Sequence, residues 1–229
     1  INELMLNDNN NLVFSSSAAV FGNPITDKIS EDHPRDPINP YGRTKLTVEN
    51  FLEHICETHG LNATCLRYFN AAGAHHSGTL GEAHEPETHL IPNILNRGNY
   101  PSENLKVYGD DYDTPDGTCI RDYVHVEDLA QAHLKALEFM QVNKGFYTFN
   151  LGNGNGFSVL EVIKACEHVL GRRVDYQFSD RREGDPPVLI ADSAKAIDQL
   201  GWSPQHTSLE SIIMSAYFWH LNKSEFSLQ

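Results

Sequence analysis

The sequence is poor in basic residues and contains no cysteine motif. Its 229 residues include 17 Lys and Arg against 31 Asp and Glu, a formal charge of −14. Because an acidic surface repels nucleic acids and anionic membranes, we expect neither as a partner, and we expect anionic ligands to be held by a few local arginines. The four cysteines form no Cys-x-x-Cys pair. Their spacing favours a reduced, cytoplasmic protein.

Long hydrophobic runs, repeats and low-complexity tracts are also missing. No apolar run approaches the roughly 20 residues that span a bilayer, and we expect no signal peptide before the first predicted strand. The sequence lacks an initiator Met, and residues 1–9 resemble the end of an amphipathic helix, so we expect the chain to begin within a domain. With 40% hydrophobic residues it can build one large domain or two small ones.

A metal site is not predicted, although histidines cluster in one polar segment. His75, His76, His84 and His89 follow none of the usual zinc-ligand spacings. The segment from residue 74 to 88 is irregular in composition and is better interpreted as a flexible loop over a ligand.

Strand and helix patterns alternate along the chain, which predicts an α/β fold with a parallel sheet. One predicted helix runs from Tyr41 to about His59, with a buried stripe at Val48, Phe51, Leu52 and Ile55. The predicted strands are residues 12–14, 63–69, 105–108, 118–126, 145–151, 174–178 and 188–192. The other predicted helices are residues 90–97, 127–140, 159–170, 193–200 and 209–221.

A glycine-rich turn follows the strand at 145–151 and resembles a dinucleotide-binding fingerprint only in part. Its third glycine, Gly156, comes one residue too early for Gly-x-Gly-x-x-Gly, and Phe157 occupies the position that should let helix and strand approach closely. We interpret residues 152–158 as a tight strand-to-helix turn with Ser158 as the N-cap.

Three proton-handling side chains form the candidate catalytic set: Ser17, Tyr41 and Lys45. If Pro40 opens a helix, Tyr41 and Lys45 lie four residues apart on one face. An ammonium beside a phenol favours the phenolate, which can act as a base, and a serine at the end of the preceding strand can relay the proton. Tyr-x-x-x-Lys is also a common pairing on helix surfaces, so this motif alone does not settle its role.

Five motifs in order resemble the UDP-glucose 4-epimerases of the extended short-chain dehydrogenase/reductase family, from about residue 4 to residue 221. They are Ser-Ser-Ser-Ala-Ala-Val-Phe-Gly, Pro-Tyr-Gly-Arg-Thr-Lys, Leu-Arg-Tyr-Phe-Asn-Ala-Ala-Gly-Ala-His, Asp-Gly-Thr-Cys-Ile-Arg-Asp-Tyr-Val-His-Val-Glu-Asp-Leu-Ala and Arg-Arg-Glu-Gly-Asp-Pro-Pro. The resemblance implies NAD-dependent oxidation of a UDP-hexose at C4, rotation of the 4-keto intermediate and reduction from the other face. This reaction interconverts UDP-glucose and UDP-galactose in galactose metabolism.

The resemblance also implies roles for individual residues. Tyr41 is the expected base, Ser17 its relay partner and Lys45 the ligand of the nicotinamide ribose, while Ser15, Ser16 and Tyr68 would line the NAD site. The expected substrate contacts are Ser17, Asn70, His89, Leu90, Lys106, Val107, Tyr108, Arg121, Arg182, Asp185 and Leu189. Arg121 and Arg182 would clamp the diphosphate and Asp185 would bind the uridine ribose; without the resemblance, surface salt bridges would be the simpler interpretation of these arginines. Leu189 at a position that gates N-acetylated sugars predicts some tolerance of UDP-N-acetyl sugars.

For the architecture, the resemblance implies the C-terminal part of a Rossmann-like doubly wound parallel sheet plus a smaller α/β substrate-binding domain. Residues 1–70, with about 118–152 returning to them, would belong to the first part and residues 71–229 mainly to the second. The family's Gly-x-x-Gly-x-x-Gly turn belongs before the first strand present here, so we expect an exposed sheet edge and weak NAD binding. The family also implies a homodimer for the full-length member.

Two alternatives remain open. A non-catalytic UDP-sugar-binding remnant or subunit would keep the substrate contacts without turnover, and another nucleotide-sugar epimerase, such as one acting on UDP-N-acetylglucosamine, would keep the chemistry. A 4,6-dehydratase is disfavoured, because Ala18 and Ala19 stand where such enzymes commonly carry an Asp-Glu pair.

Overall fold

The computed structural model describes residues 1–7, 9–96 and 105–226, with backbone only at 224–226. The helices are α1 (Asn2–Leu6), α2 (Pro40–His59), α3 (Leu90–Asn96), α4 (Val126–Val142), α5 (Val159–Leu170), α6 (Ala194–Leu200) and α7 (Leu209–Phe226). The strands are β1 (Asn11–Ser17), β2 (Asn62–Tyr68), β3 (Asn70–Ala72), β4 (Leu105–Tyr108), β5 (Ile120–His125), β6 (Phe146–Leu151), β7 (Gly156–Ser158), β8 (Tyr176–Ser179) and β9 (Val188–Leu189). This mixed α/β arrangement with parallel sheets confirms the predicted fold class. Arg97, the predicted end of the third helix, lies outside the described residues.

Two sheets meet where the chain leaves β2. The first sheet is parallel and has the order β1-β2-β6. At Phe69 the chain passes from β2 into β3, which pairs in parallel with β5 in the second sheet, where β7 and β9 also pair with β5. A separate parallel pair joins β4 and β8. Within the described residues β1 pairs only with β2, so the expected exposed edge is present. Although β6 pairs with β2, the predicted domain boundaries stay a prediction.

Local sequence signals set the ends of α2. The side chain of Asn39 accepts a hydrogen bond from the backbone N–H of Gly42 at 2.8 Å, and Pro40 occupies the first turn. Gly60 ends the helix in a left-handed conformation with φ of 71°. The predicted buried stripe was wrong in part: Glu49, Leu52 and Cys56 are buried, whereas Phe51 is exposed. The inward face of α2 therefore follows Glu49, Leu52 and Cys56, and Phe51 lies outside it.

The largest apolar cluster of the described residues lies between three helices. It joins α3, α5 and α7 through Ile94, Val162, Ile163, Ile212 and Ile213. A capping box at Ser158 and Glu161 fixes the start of α5 and confirms the predicted N-cap. The turn before it differs from the prediction, since residues 156–158 form β7 against β5.

Within the described residues, no helix combines the length and the apolar character that crossing a membrane requires. All four cysteines are buried free thiols.

Candidate active site

A cavity of about 830 Å³ collects most of the predicted site residues. It opens where β1 and β2 end, and it extends toward α3 and β4. The predicted residues that line it are Ser16, Ser17, Tyr41, Tyr68, Asn70, His89, Leu90, Lys106, Val107, Tyr108, Arg121, Arg182 and Asp185. Side chains from distant parts of the sequence therefore share one cavity. Ser15, Lys45 and Leu189 are not among its lining residues.

Ser17 and Tyr41 are brought to the same wall by contact between α2 and the turn after β1. Ser17 caps that turn, since its Oγ accepts a hydrogen bond from the N–H of Ala19 at 3.1 Å. Gly42 packs against this turn so closely that a Cβ there would lie 2.2 Å from the carbonyl oxygen of Ala19. Only a residue without a side chain at position 42 lets α2 approach this turn, and this approach places the phenol of Tyr41 beside the end of β1.

Lys45 lies behind Tyr41 on α2. Its Nζ donates a hydrogen bond to the carbonyl oxygen of Ser15 at 2.9 Å and lies 5.5 Å from the centroid of the Tyr41 ring. The side chain of Tyr41 is 56% exposed. The ammonium and the phenol therefore share one face, as the spacing predicted, and the phenol is accessible to a ligand.

Tyr68 takes part in a hydrogen-bonded group that the sequence analysis did not include. Its Oη lies 2.9 Å from Ser15 Oγ and 2.5 Å from Nε2 of His133. Nδ1 of His133 faces the carbonyl oxygen of Leu129 at 2.8 Å, so this nitrogen carries the proton and Nε2 accepts from a hydroxyl. Burial raises the pKa of Tyr68, which keeps it a neutral phenol, unlike the base predicted at Tyr41.

A buried ion pair supports the strand that carries these serines. Glu49 accepts two hydrogen bonds from the Arg67 guanidinium, at 3.0 Å and 2.7 Å, and one from the Ser16 hydroxyl at 2.6 Å. The one hydroxyl proton of Ser16 is thereby used, so its Oγ can only accept a further hydrogen bond, and the predicted cofactor contact of Ser16 stays a prediction. The burial of Glu49 could have been predicted from the sequence, because Glu49 precedes Leu52 and Cys56 by three and seven residues and so shares their face of the helix.

The opposite end of the cavity carries the predicted diphosphate and uridine contacts. Arg121, only 9% exposed, pairs with Asp185 at 3.0 Å and also donates to the carbonyl oxygen of Ile120 at 2.8 Å. The guanidinium of Arg182 stacks on the Tyr108 ring, 4.0 Å from its centroid. Arg121 is thus a cavity-wall residue and not part of a surface salt bridge.

Leu189 is half-buried on β9. It packs against a buried cluster that includes Ala18, Phe69 and Ala191. Its predicted role as a gate for N-acetylated sugars stays a prediction.

The glycine-rich turn at 152–156 is unsuited to a dinucleotide phosphate. The backbone N–H groups of Asn153 and Gly154 donate to the Asp122 carboxylate at 2.8 Å and 2.9 Å, and the N–H of Ala191 donates to it at 3.1 Å. These N–H groups are therefore satisfied by a side chain of the protein, which agrees with the interpretation as a structural turn. Burial raises the pKa of Asp122 to about 6.

Comparisons with known proteins identify the family of the chain. Residues 1–152 match the model of the NAD dependent epimerase/dehydratase family. A UDP-glucose 4-epimerase of Halalkalibacterium halodurans is 47% identical over 220 residues, which is 96% of this chain and 66% of that protein. The chain therefore spans just under two thirds of this relative.

Two solved structures have the same fold. A Stenotrophomonas maltophila UDP-glucose-4-epimerase with bound NAD and formylated UDP-arabinopyranose superposes with a TM-score of 0.93 at 40% identity, covering 98% of this chain and 67% of that one. The UDP-Glc/GlcNAc 4-epimerase of Campylobacter jejuni superposes with a TM-score of 0.78 at 41% identity, covering 96% and 67%. By the match over residues 1–152, with these relatives in agreement, the chain belongs to the NAD dependent epimerase/dehydratase family.

Proposed function

We propose that the protein interconverts UDP-glucose and UDP-galactose by oxidation and re-reduction at C4 of the sugar. The single observation that carries this proposal is the cavity itself, which has Ser17 and Tyr41 at one end and Arg121, Arg182 and Asp185 at the other. A proton-handling pair and an anion-binding pair in one space suit a nucleotide sugar, with its hexose at the first end and its diphosphate at the second.

The residues present fit one end of NAD. Lys45, Tyr41 and Tyr68 offer an ammonium and two hydroxyls around the ends of β1 and β2, a donor set that suits the nicotinamide ribose. NAD, when bound, supplies the acceptor and donor of the C4 hydride. Among the described residues the glycine-rich turn at 152–156 does not offer a phosphate site, because Asp122 already accepts its N–H groups. We therefore assign the nicotinamide end of NAD to this chain.

In the proposed reaction Tyr41 removes the proton from the C4 hydroxyl, and Ser17 passes it between the sugar and the phenol. Lys45, whose Nζ lies 5.5 Å from the centroid of the Tyr41 ring, places a positive charge on the same face of α2, where it stabilises negative charge on the substrate and the phenol during proton transfer. Arg121 and Arg182 hold the diphosphate by bidentate, charge-assisted hydrogen bonds. Because the anchoring is concentrated at the diphosphate, the hexose is free to turn over in the cavity between the two half-reactions.

The experiment measures UDP binding by calorimetry and turnover of UDP-galactose in a coupled assay, with NAD added to the 229-residue chain. We expect UDP to bind, and Arg121→Gln to weaken that binding. Tyr41→Phe should lower turnover by roughly 10²–10⁴-fold, the range of general acid–base catalysis, while UDP still binds. Tyr176→Phe, at an exposed ring on β8 outside the cavity lining, is the matched control and should change neither quantity.

Two outcomes would contradict the proposal. UDP binding without turnover would favour the non-catalytic UDP-sugar-binding module, and the absence of UDP binding would remove both interpretations.

Turnover of UDP-glucose together with UDP-N-acetylglucosamine would extend the substrate range, as expected from Leu189, and Leu189→Tyr should then lose the N-acetylated substrate preferentially.

We further propose a cytoplasmic location and a role in galactose metabolism, supported by the four free thiols and by the proposed substrate.

A homodimer is also proposed. The exposed Phe51 on α2 and Leu134 on α4 are apolar side chains that another chain would cover. Light scattering on the purified protein tests this assembly.

A further inference from the structure

Four metal-binding side chains converge in the segment that leads into α3. Glu82, His84, Glu87 and His89 each present one ligand atom, and these atoms all lie within 4.8 Å of one another. Nδ1 of His84 lies 2.8 Å and Nδ1 of His89 lies 2.5 Å from the same oxygen, Oε1 of Glu82. Nδ1 of His89 also lies 3.1 Å from Oε1 of Glu87. Folding thus brings together histidines whose linear spacing did not predict a metal site.

The type and charge of these donors favour a transition-metal cation. Two imidazole nitrogens and two carboxylate oxygens form the mixed four-ligand set that Zn²⁺ accepts, whereas Mg²⁺ and Ca²⁺ prefer oxygen alone. Two ionised carboxylates balance the charge of a divalent cation while both imidazoles stay neutral.

Hydrogen bonds that involve the backbone position the two acidic residues of the group. Oε1 of Glu87 accepts hydrogen bonds from the N–H groups of Thr88 and His89, both at 2.8 Å. The indole N–H of Trp219, on α7, donates to the carbonyl oxygen of Glu82 at 3.0 Å. The two carboxylate side chains are only 20% and 9% exposed, whereas the imidazoles of His84 and His89 are 60% and 56% exposed. The carboxylates therefore lie on the protein side of the group and the imidazoles on the solvent side, so an ion can enter from solvent.

A second histidine group in the described residues is less suited to a metal. His125 lies near Glu127 and His206, but both of its ring nitrogens have hydrogen-bond partners. Nδ1 accepts from the N–H of Glu127 at 3.1 Å, and Nε2 lies 2.9 Å from Ser215 Oγ. A metal there would have to break these buried bonds, which makes the first group the better candidate.

We propose that Glu82, His84, Glu87 and His89 bind one Zn²⁺-type cation at the rim of the cavity. All four residues line the cavity, and His89 directly precedes α3. A bound cation would join the two ends of the segment 82–89 and fix the wall that leads to Leu90. The proposal does not depend on whether the chain epimerises a sugar.

The test titrates the metal-free 229-residue chain with Zn²⁺ against a chromophoric chelator. We expect one equivalent to bind, and His84→Gln and Glu82→Gln each to weaken it by about 100-fold or more, since even changes in the outer shell of a zinc site cost 10–100-fold. His84 is exposed, so His84→Gln should fold normally, which far-ultraviolet circular dichroism checks. X-ray absorption of the zinc-loaded chain should show two imidazoles together with oxygen ligands.

Two control variants distinguish the candidate sites. His54→Gln removes an exposed imidazole from α2. His76→Gln removes a contact of Glu127 and breaks up a third candidate group, formed by His75, His76 and Glu127. Both variants should bind Zn²⁺ like the unmodified chain. The proposal is overturned if Zn²⁺ binds the unmodified chain no more tightly than His84→Gln. It is also overturned if His76→Gln, and not His84→Gln, removes the bound ion.

Discussion

The hydroxyl of Tyr68 lies 2.5 Å from Nε2 of His133, which joins the end of β2 to the middle of α4. The same hydroxyl lies 2.9 Å from Ser15 Oγ, and Lys45 donates to the carbonyl oxygen of Ser15 at 2.9 Å. Tyr68 and Ser17 face each other in register on neighbouring parallel strands. His133 therefore orients a cavity-lining ring next to the candidate catalytic strand end without itself lining the cavity.

This relationship predicts energetic coupling between Tyr68 and His133. In a double-mutant cycle of Tyr68→Phe and His133→Ala, the free energy of unfolding should show a coupling of about 0.5–1.5 kcal/mol, the range of a typical intramolecular hydrogen bond. Urea denaturation measures it. Tyr176→Phe combined with His133→Ala is the control and should be additive, because Tyr176 lies in the separate β4-β8 pair. Additivity in the Tyr68 cycle would show that the contact contributes nothing.

The buried pair of Glu49 and Arg67 predicts a large loss of stability when one partner is removed. Their side chains are at most 2% exposed. Glu49→Ala leaves the guanidinium without its carboxylate in the interior, which should cost about 3–5 kcal/mol in the free energy of unfolding.

The exposed pair of Lys135 and Glu138, at 3.1 Å, supplies the matched control for Glu49. Glu138→Ala should change the free energy of unfolding little, because solvent screens this contact. Similar losses in Glu49→Ala and Glu138→Ala would contradict the distinction between the buried and the exposed pair.

The sequence predicted elements more reliably than the contacts between them. The predicted bounds of α2 and α5 lie within a residue of the observed ones, because Pro40, Gly60 and Ser158 are local signals that a reader of the sequence can recognise. The short strands β3 and β7 were not predicted as separate elements, and β9 was predicted too long, as residues 188–192, because two or three residues carry no periodicity. Their existence depends on pairing with β5.

Polar residues on apolar helix faces were the part of the site that sequence reasoning missed. His133 follows Leu129 by four residues on the buried side of α4, and Glu49 occupies the buried side of α2. Each is accommodated by a partner on another element, Tyr68 for His133 and Arg67 for Glu49. One sequence without an alignment does not identify such partners, although a polar residue in an apolar stripe marks where to look.

Burial of Asp122 predicts a pH dependence of stability. Its pKa is raised to about 6 from an ordinary value of 3.8, because the cost of burial outweighs the stabilising N–H groups of Asn153, Gly154 and Ala191. Between these two pH values the folded protein holds a proton that the unfolded chain has lost. The contribution to the free energy of unfolding should therefore fall as the pH rises from about 4 to 6, by roughly 3 kcal/mol at 1.36 kcal/mol per pH unit, and level off above that range.

Asp122→Asn isolates this contribution from other titrating groups. The amide does not titrate, so the difference in unfolding free energy between the unmodified protein and the variant should change across pH 4–6 in the stated direction. Urea denaturation at a series of pH values measures the difference. Parallel pH profiles for the two proteins would contradict the raised pKa.

Gly42→Ala should destabilise the protein, although the same exchange inside a helix ordinarily gains up to about 1 kcal/mol. The new Cβ would lie 2.2 Å from the carbonyl oxygen of Ala19 and 2.9 Å from Cβ of Pro37, so α2 has to move away from the turn that follows Ser17. We expect a loss of about 1–3 kcal/mol in the free energy of unfolding, as for overpacked cores. Thr47→Ala, exposed on the same helix, is the control and should be neutral or slightly stabilising. Because the shift separates Tyr41 from Ser17, turnover of UDP-galactose should fall in Gly42→Ala and stay unchanged in Thr47→Ala. If Gly42→Ala is as stable and as active as the control, the contact between Gly42 and Ala19 does not set the geometry of Ser17 and Tyr41.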